Sequence, residues 1–241
     1  MTLPRILLAS ALLLLPLCAS ASDAVHVTGQ VKVDPAQGND KSSKNTTDSS
    51  NVVVWLAALP GQTLPAAAHP QQAPLRLVQK NKRFDPGLLV VPVGAKVEFP
   101  NQDPFFHNVF SLYQGKRFDL GLYEAGEKRK VSFDKPGISY IFCNIHPEMK
   151  AVVISLATPY YAITDSTGKF SISGVPPGKY WLQVWYERAL PDTLQPLGRI
   201  VEVSRENETL DIIHVKQAPG APDHHHNKFD QEYEHPPEQP Y

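Results

Sequence analysis

The chain has 241 residues, a formal net charge of −1 and 42% hydrophobic residues, with 23 Pro and 14 Gly against only two Cys and two Met. A charge so close to zero gives no sign of a partner bound through phosphate, so neither nucleic acid nor an anionic membrane surface is expected. The length suits one large β domain or two small ones.

The opening, "MTLPRILLASALLLLPLCASASDA", has one basic residue, Arg5, an apolar run from Ile6 to Leu17, and the small-residue pattern Ala19-Ser20-Ala21. It reads as a secretory leader spanning 1–21, and the run is shorter than the ~20 apolar residues that cross a bilayer. Cleavage leaves an exported chain with no membrane span and a periplasmic destination, with lipidation of Cys18 as the other route. One thiol then remains, Cys143, which is a buried inert group, a reactive group or a metal ligand.

Residues 22–70 carry two short strands, "VTGQV" (Val27 to Val31) and "VVVWL" (Val52 to Leu56). The polar stretch between them, 34–51, is too poor in apolar residues to order itself. Next, "GLLVVPVGAKVEFP" alternates through Leu89, Val91 and Val93, turns at Gly94-Ala95 and resumes at Val97 and Phe99. "KVSFDKPGISYIF" alternates in the same way, placing Ile138, Tyr140 and Phe142 on one face. Period-two patterning broken by Pro and Gly, with no long helical period, predicts an all-β chain built from sandwiches.

In "FCNIHPEMK" (Phe142 to Lys150), Cys143, His146 and Met149 fall at three-residue spacing, so every sulfur atom beyond the leader lies in one loop. Thiolate, imidazole and thioether form a soft donor set suited to copper, and a trigonal site with a weak axial thioether needs one more imidazole. His107 in "NQDPFFHNVFS" is the candidate, bracketed by Phe105, Phe106 and Phe110. Zinc seldom takes Met. A Cys143/His146 nucleophilic pair has no obvious orienting partner beyond Asn144, and a single Cys excludes a binuclear thiolate-bridged copper site.

The pair "HNVFS" and "FCNIHPEM" resembles the ligand motifs of cupredoxins, the C-x-x-H-x-x-M loop being most like amicyanin. The wider chain resembles exported plastocyanin-like proteins of the methylamine-utilisation type. The resemblance implies a Greek-key sandwich over 71–157 holding one copper ion through His107, Cys143, His146 and Met149. It also implies supporting roles for two neighbours. The Asn108 side chain would tie the two ligand loops together while its N–H approaches the cysteine sulfur. Pro147, lacking an N–H, would leave that sulfur with few hydrogen bonds, and His146 would be the solvent-edge ligand. The implied activity is electron transfer without catalysis, with a c-type cytochrome or a periplasmic dehydrogenase as redox partner. A copper-delivery protein that does not turn over electrons is the other reading.

Downstream, "TDSTGKFSISGVPPGKY" (Thr164 to Tyr180) resembles the carboxypeptidase-regulatory or transthyretin-like sandwich, here 158–216. In the strand after it, Tyr180, Leu182, Val184 and Tyr186 share one face while Trp181, Gln183 and Trp185 share the other, so apolar bulk lies on both sides. The strands at 27–31 and 52–56 either begin the copper domain or are the first strands of this second sandwich, with the copper domain inserted after them. The tail, 217–241, is rich in Pro and His and is expected to be disordered. Its His224, His225, His226 and His235 either capture metal or are simply solvated.

Overall fold

The computed structural model describes residues 25–36, 48–64, 74–112, 115–219, 225–229 and 231. The leader read at 1–21 lies outside these residues, as do 37–47 of the polar stretch and His69, His224 and His235.

The period-two segments form strands. β1 (Val27–Asp34) and β2 (Val53–Ala57) come first. A run of ten follows: β3 (Leu75–Arg76), β4 (Val78–Lys80), β5 (Arg83–Asp85), β6 (Leu88–Pro92), β7 (Ala95–Pro100), β8 (His107–Ser111), β9 (Phe118–Tyr123), β10 (Lys128–Phe133), β11 (Gly137–Phe142) and β12 (Lys150–Leu156). Then come β13 (Tyr161–Ile163), β14 (Lys169–Ile172), β15 (Gly178–Trp185), a four-residue helix (Pro191–Leu194), β16 (Arg199–Val203), β17 (Glu208–Thr209) and β18 (Ile213–Lys216). The described chain is therefore all-β apart from one helical turn and a short 3₁₀ turn.

These strands build two sandwiches. In the first, a sheet of order β10-β7-β3 faces one of order β6-β12-β11-β8-β9. Leu77, Val97, Phe99, Val109, Phe133, Ile141 and Val153 fill the space between them. In the second, β1 pairs with β14, β17 and β18, facing the sheet β13-β2-β15-β16. Val27, Val31, Leu56, Ile172, Tyr180, Leu182 and Val215 lie in its core. Val27 is in register with Ile172, and Trp55 with Tyr161. β3 to β12 thus lie in the chain between β2 and β13, two neighbouring strands of one sheet.

A third apolar cluster joins the sandwiches. Val152, Ile154 and Leu156 of β12 meet Val53 of β2 and Trp185 of β15, with Val90 beside them. This accounts for the apolar residues on both faces of β15: Tyr180, Leu182 and Val184 point into the second core, and Trp185 points at the first sandwich.

Two expectations of disorder need correction. Asp34 is the last residue of β1, and residues 48–51 are fixed by hydrogen bonds. Val33 N–H donates to Ser49 Oγ (3.0 Å), and the Thr164 hydroxyl donates to the Ser49 carbonyl (2.5 Å). Polar composition did not prevent order here because the buried Thr164 supplies the partner. The second case, in the tail, belongs to the candidate site.

Candidate metal centre

β8 and β11 are antiparallel neighbours, with Phe110 opposite Phe142. That register places His107, at the start of β8, beside Cys143, just past the end of β11. All five residues of β8 are buried. The loop from Cys143 to Met149 closes on itself: Cys143 N–H donates to the Met149 carbonyl (3.2 Å) and Met149 N–H to the His146 carbonyl (3.0 Å). His146 is thereby folded back over Cys143, and Met149 is carried into the core, fully buried.

The result is a cluster in which ligating atoms of His107, Cys143 and His146 all lie within 4.8 Å of one another. Cys143 Sγ stands 3.7 Å from His107 Nδ1 and 3.5 Å from His146 Nδ1. Two metal bonds of about 2.0–2.3 Å meeting near 120° span about 3.7 Å, which matches the separation of the Cys143 sulfur from each of the two ring nitrogens. Phe105 wedges against both imidazoles, its ring 5.2 Å from that of His107 and 5.7 Å from that of His146.

Burial sets the charge state of each group. It pushes the Cys143 thiol up, against the pull of the backbone N–H groups of Asn108, Ile145 and His146 on the sulfur. Burial also lowers His107, and brings His146 down to about 4 with help from neighbouring positive charge. At neutral pH the apo cluster is therefore a thiol and two neutral imidazoles, each offering a lone pair, and a metal ion must displace the thiol proton to bind.

Several expectations are changed by the geometry. Three amides approach the sulfur, because the chain after Cys143 curls around it; Pro147 lies beyond that curl and does not leave the sulfur poor in hydrogen bonds. The Asn108 amide approaches as expected, but its side chain donates to Asp119 Oδ1 of β9 (2.7 Å), tying β8 to β9 instead of to the Cys143 loop. Phe106 points to solvent, 50% exposed, so the apolar wall beside the imidazoles is Phe105.

The tail expectation fails for 225–229. The His225 ring lies on Phe142 (4.4 Å between centroids) and near Phe110 (6.2 Å). Lys228 N–H donates to Asn144 Oδ1 (2.9 Å), and its ammonium reaches Asp119 Oδ2 (2.9 Å). Low apolar content misled here because the segment borrows its order from aromatic rings on another element. His225 thus serves as a ring packed beside the loop, and His226 is exposed.

One residue of the site went unread in the sequence. Asp103, 5% exposed, has Oδ2 2.8 Å from His107 Nε2. Asn101 shapes the turn that brings them together, accepting from Asp103 N–H (3.0 Å) and donating to the Phe105 carbonyl (2.7 Å). The available signal was an acidic residue four positions before the histidine in "DPFFH".

No protein-family model and no curated protein matches the chain. Among solved structures, a Cu-containing nitrite reductase from Thermus scotoductus SA-01 is similar at 28% identity over 40% of this chain, with a TM-score of 0.34. The chain spans about a quarter of that protein's length (26%). A purple cupredoxin from Nitrosopumilus maritimus is similar at 22% identity, covering 34% of this chain and 99% of that one, with a TM-score of 0.31. A Cu(I) structure of an amicyanin mutant is similar at 18% identity, covering 43% and 98%, with a TM-score of 0.34.

Proposed function

We propose that this chain is an exported, mononuclear blue copper protein that carries single electrons between redox partners. The observation that carries this reading is the donor set: Cys143 Sγ 3.7 Å from His107 Nδ1 and 3.5 Å from His146 Nδ1, with Met149 buried at the end of the same loop. Copper held there supplies a one-electron couple, and a thiolate with two imidazoles and a weak thioether is the donor set of blue sites. The chain's contribution is to hold the donors before the metal arrives. His107 is fixed within a buried strand, Cys143 is fixed by three amides and the loop's own hydrogen bonds, and Phe105 sets the two ring orientations. Donors that do not move between oxidation states keep reorganisation small. His146, half-buried where His107 is fully buried, is the route by which the electron leaves.

The family resemblance supports a cupredoxin-like first sandwich and a transthyretin-like second one serving as a scaffold. Export rests on the leader at 1–21; among the described residues no helix is long and apolar enough to cross a membrane. A periplasmic c-type cytochrome or dehydrogenase is the proposed partner.

The test is the visible and electron paramagnetic resonance spectrum of the purified protein after adding Cu(II). The expected result is an intense thiolate-to-copper band with narrow copper hyperfine splitting. A colourless product with ordinary tetragonal signals would reject the site. Reversible voltammetry with fast self-exchange separates an electron carrier from a copper-delivery protein, which would cycle slowly and surrender its ion to an acceptor.

Ending the chain after Pro219 removes the segment packed on Phe142 and anchored to Asn144. A neutral hydrogen bond contributes about 1 kcal/mol, so copper removal by a chelator should quicken about fivefold. The charge-transfer band should keep its position, since no donor is lost. An unchanged removal rate would show that the segment does not brace the loop.

A further inference from the structure

The β4–β5 hairpin turns through Asn81 and Lys82, both at positive φ (55° and 54°). Two successive left-handed residues give the type I′ turn that matches strand twist. This turn directs both of its amides at one carboxylate: Asn81 N–H donates to Asp103 Oδ1 (2.6 Å), and Lys82 N–H donates to Asp103 Oδ2 (2.9 Å). The same Oδ2 faces His107 Nε2 at 2.8 Å. Backbone N–H groups, which can only donate, thus occupy both oxygens of Asp103, and a carboxylate held in this way faces the ring as an acceptor. The proton between the two groups must sit on His107 Nε2, which leaves the lone pair on Nδ1, the nitrogen that faces Cys143.

We propose, resting on the copper reading above, that Asp103 positions and tunes the site. Anchored by the β4–β5 turn, its carboxylate locks His107 in the Nε2–H tautomer and places a fixed negative charge behind that ligand, favouring Cu(II) over Cu(I). The soft sulfur donors and the dry surroundings favour Cu(I). Asp103 opposes them, because a carboxylate on the far nitrogen makes the imidazole a stronger donor and its charge attracts the more highly charged ion through a buried path. The nearby cation, Lys82, holds its ammonium 5.5 Å over the Phe105 ring. An anchor for the hairpin alone would need the two turn amides but not the contact with His107.

The test uses the full chain, wild type and Asp103→Asn, an isosteric change that removes the charge and keeps one carbonyl oxygen, so that one of the two turn amides retains its acceptor. In the wild-type apo protein, long-range ¹H–¹⁵N spectra should show His107 protonated at Nε2; protonation at Nδ1 would overturn the proposal without any variant. In the copper-loaded pair, D103N should shift the one-electron equilibrium towards Cu(I) about tenfold, which is 59 mV for a one-electron couple. Asp103→Glu, which keeps the charge, should recover most of that shift. A blue D103N protein with an unchanged potential would reduce Asp103 to a hairpin anchor. A wild-type protein that never turns blue would reject the copper reading instead, and the apo tautomer would still decide the positioning half.

Discussion

Replacing Cys143 with serine is expected to abolish the visible absorption of the Cu(II)-loaded protein while leaving the fold in place. The band requires a thiolate bonded to copper, and a serine hydroxyl neither ionises near neutral pH nor offers a polarizable donor orbital. The loop itself should survive. Cys143 is fully buried, and the amides of Asn108, Ile145 and His146 that approach its sulfur can donate equally well to a serine oxygen. Loss of colour should therefore come without collapse, and melting curves of the two apo proteins are the control. Copper loading of the wild type should also release a proton, because burial holds the apo thiol protonated and the bound thiolate is not. A band that persists in C143S would place the chromophore elsewhere and remove the basis of the functional reading.

The largest stability effect is expected away from the metal. Trp185 is 5% exposed and lies where β15 meets Val152, Ile154 and Leu156 of the other sandwich. Truncating a buried tryptophan to alanine costs about 3–5 kcal/mol. For a protein of this size that corresponds to a fall in Tm of roughly 6–20 °C. Urea unfolding of Trp185→Ala, followed by circular dichroism and by the copper band together, should show both signals moving to lower denaturant in concert. A shift below about 1 kcal/mol would mean the sandwiches do not depend on this contact.

The candidate loop was legible because its pattern is local: Cys143, His146 and Met149 fall within seven residues, and the loop closes by its own hydrogen bonds. His107 was legible because a strand pattern and aromatic neighbours marked its position. Asp103 was not, because its anchoring depends on a hairpin turn 22 and 21 residues upstream whose amides aim at it. The tail contact was hidden for a similar reason, since Lys228 and Asp119 meet across 109 positions. Strand faces were legible only as alternation. Ile138, Tyr140 and Phe142 do share a side of β11, but the first two pack towards the second sandwich and Phe142 takes the tail. The inner side belongs to Ser139, Ile141 and Cys143, all buried. Ser139 is the one polar residue of these three, its hydroxyl accepting from Lys116 N–H (2.8 Å), and the apolar outer side is explained by the neighbouring sheet.

The interleaved order of the strands has a consequence for how the molecule assembles. β1 and β2 precede the other described strands in the chain, yet β1 finds its partners in β14, β17 and β18, and β2 in β13 and β15. Until those later segments come within reach, two valine-rich strands wait with unpaired edges, while β3 to β12 can close on themselves. Such long-range pairing is slow, and open apolar strand edges are where newly made chains associate wrongly. Delayed contact between the two ends of the chain, more than the metal site, should set the yield of folded protein.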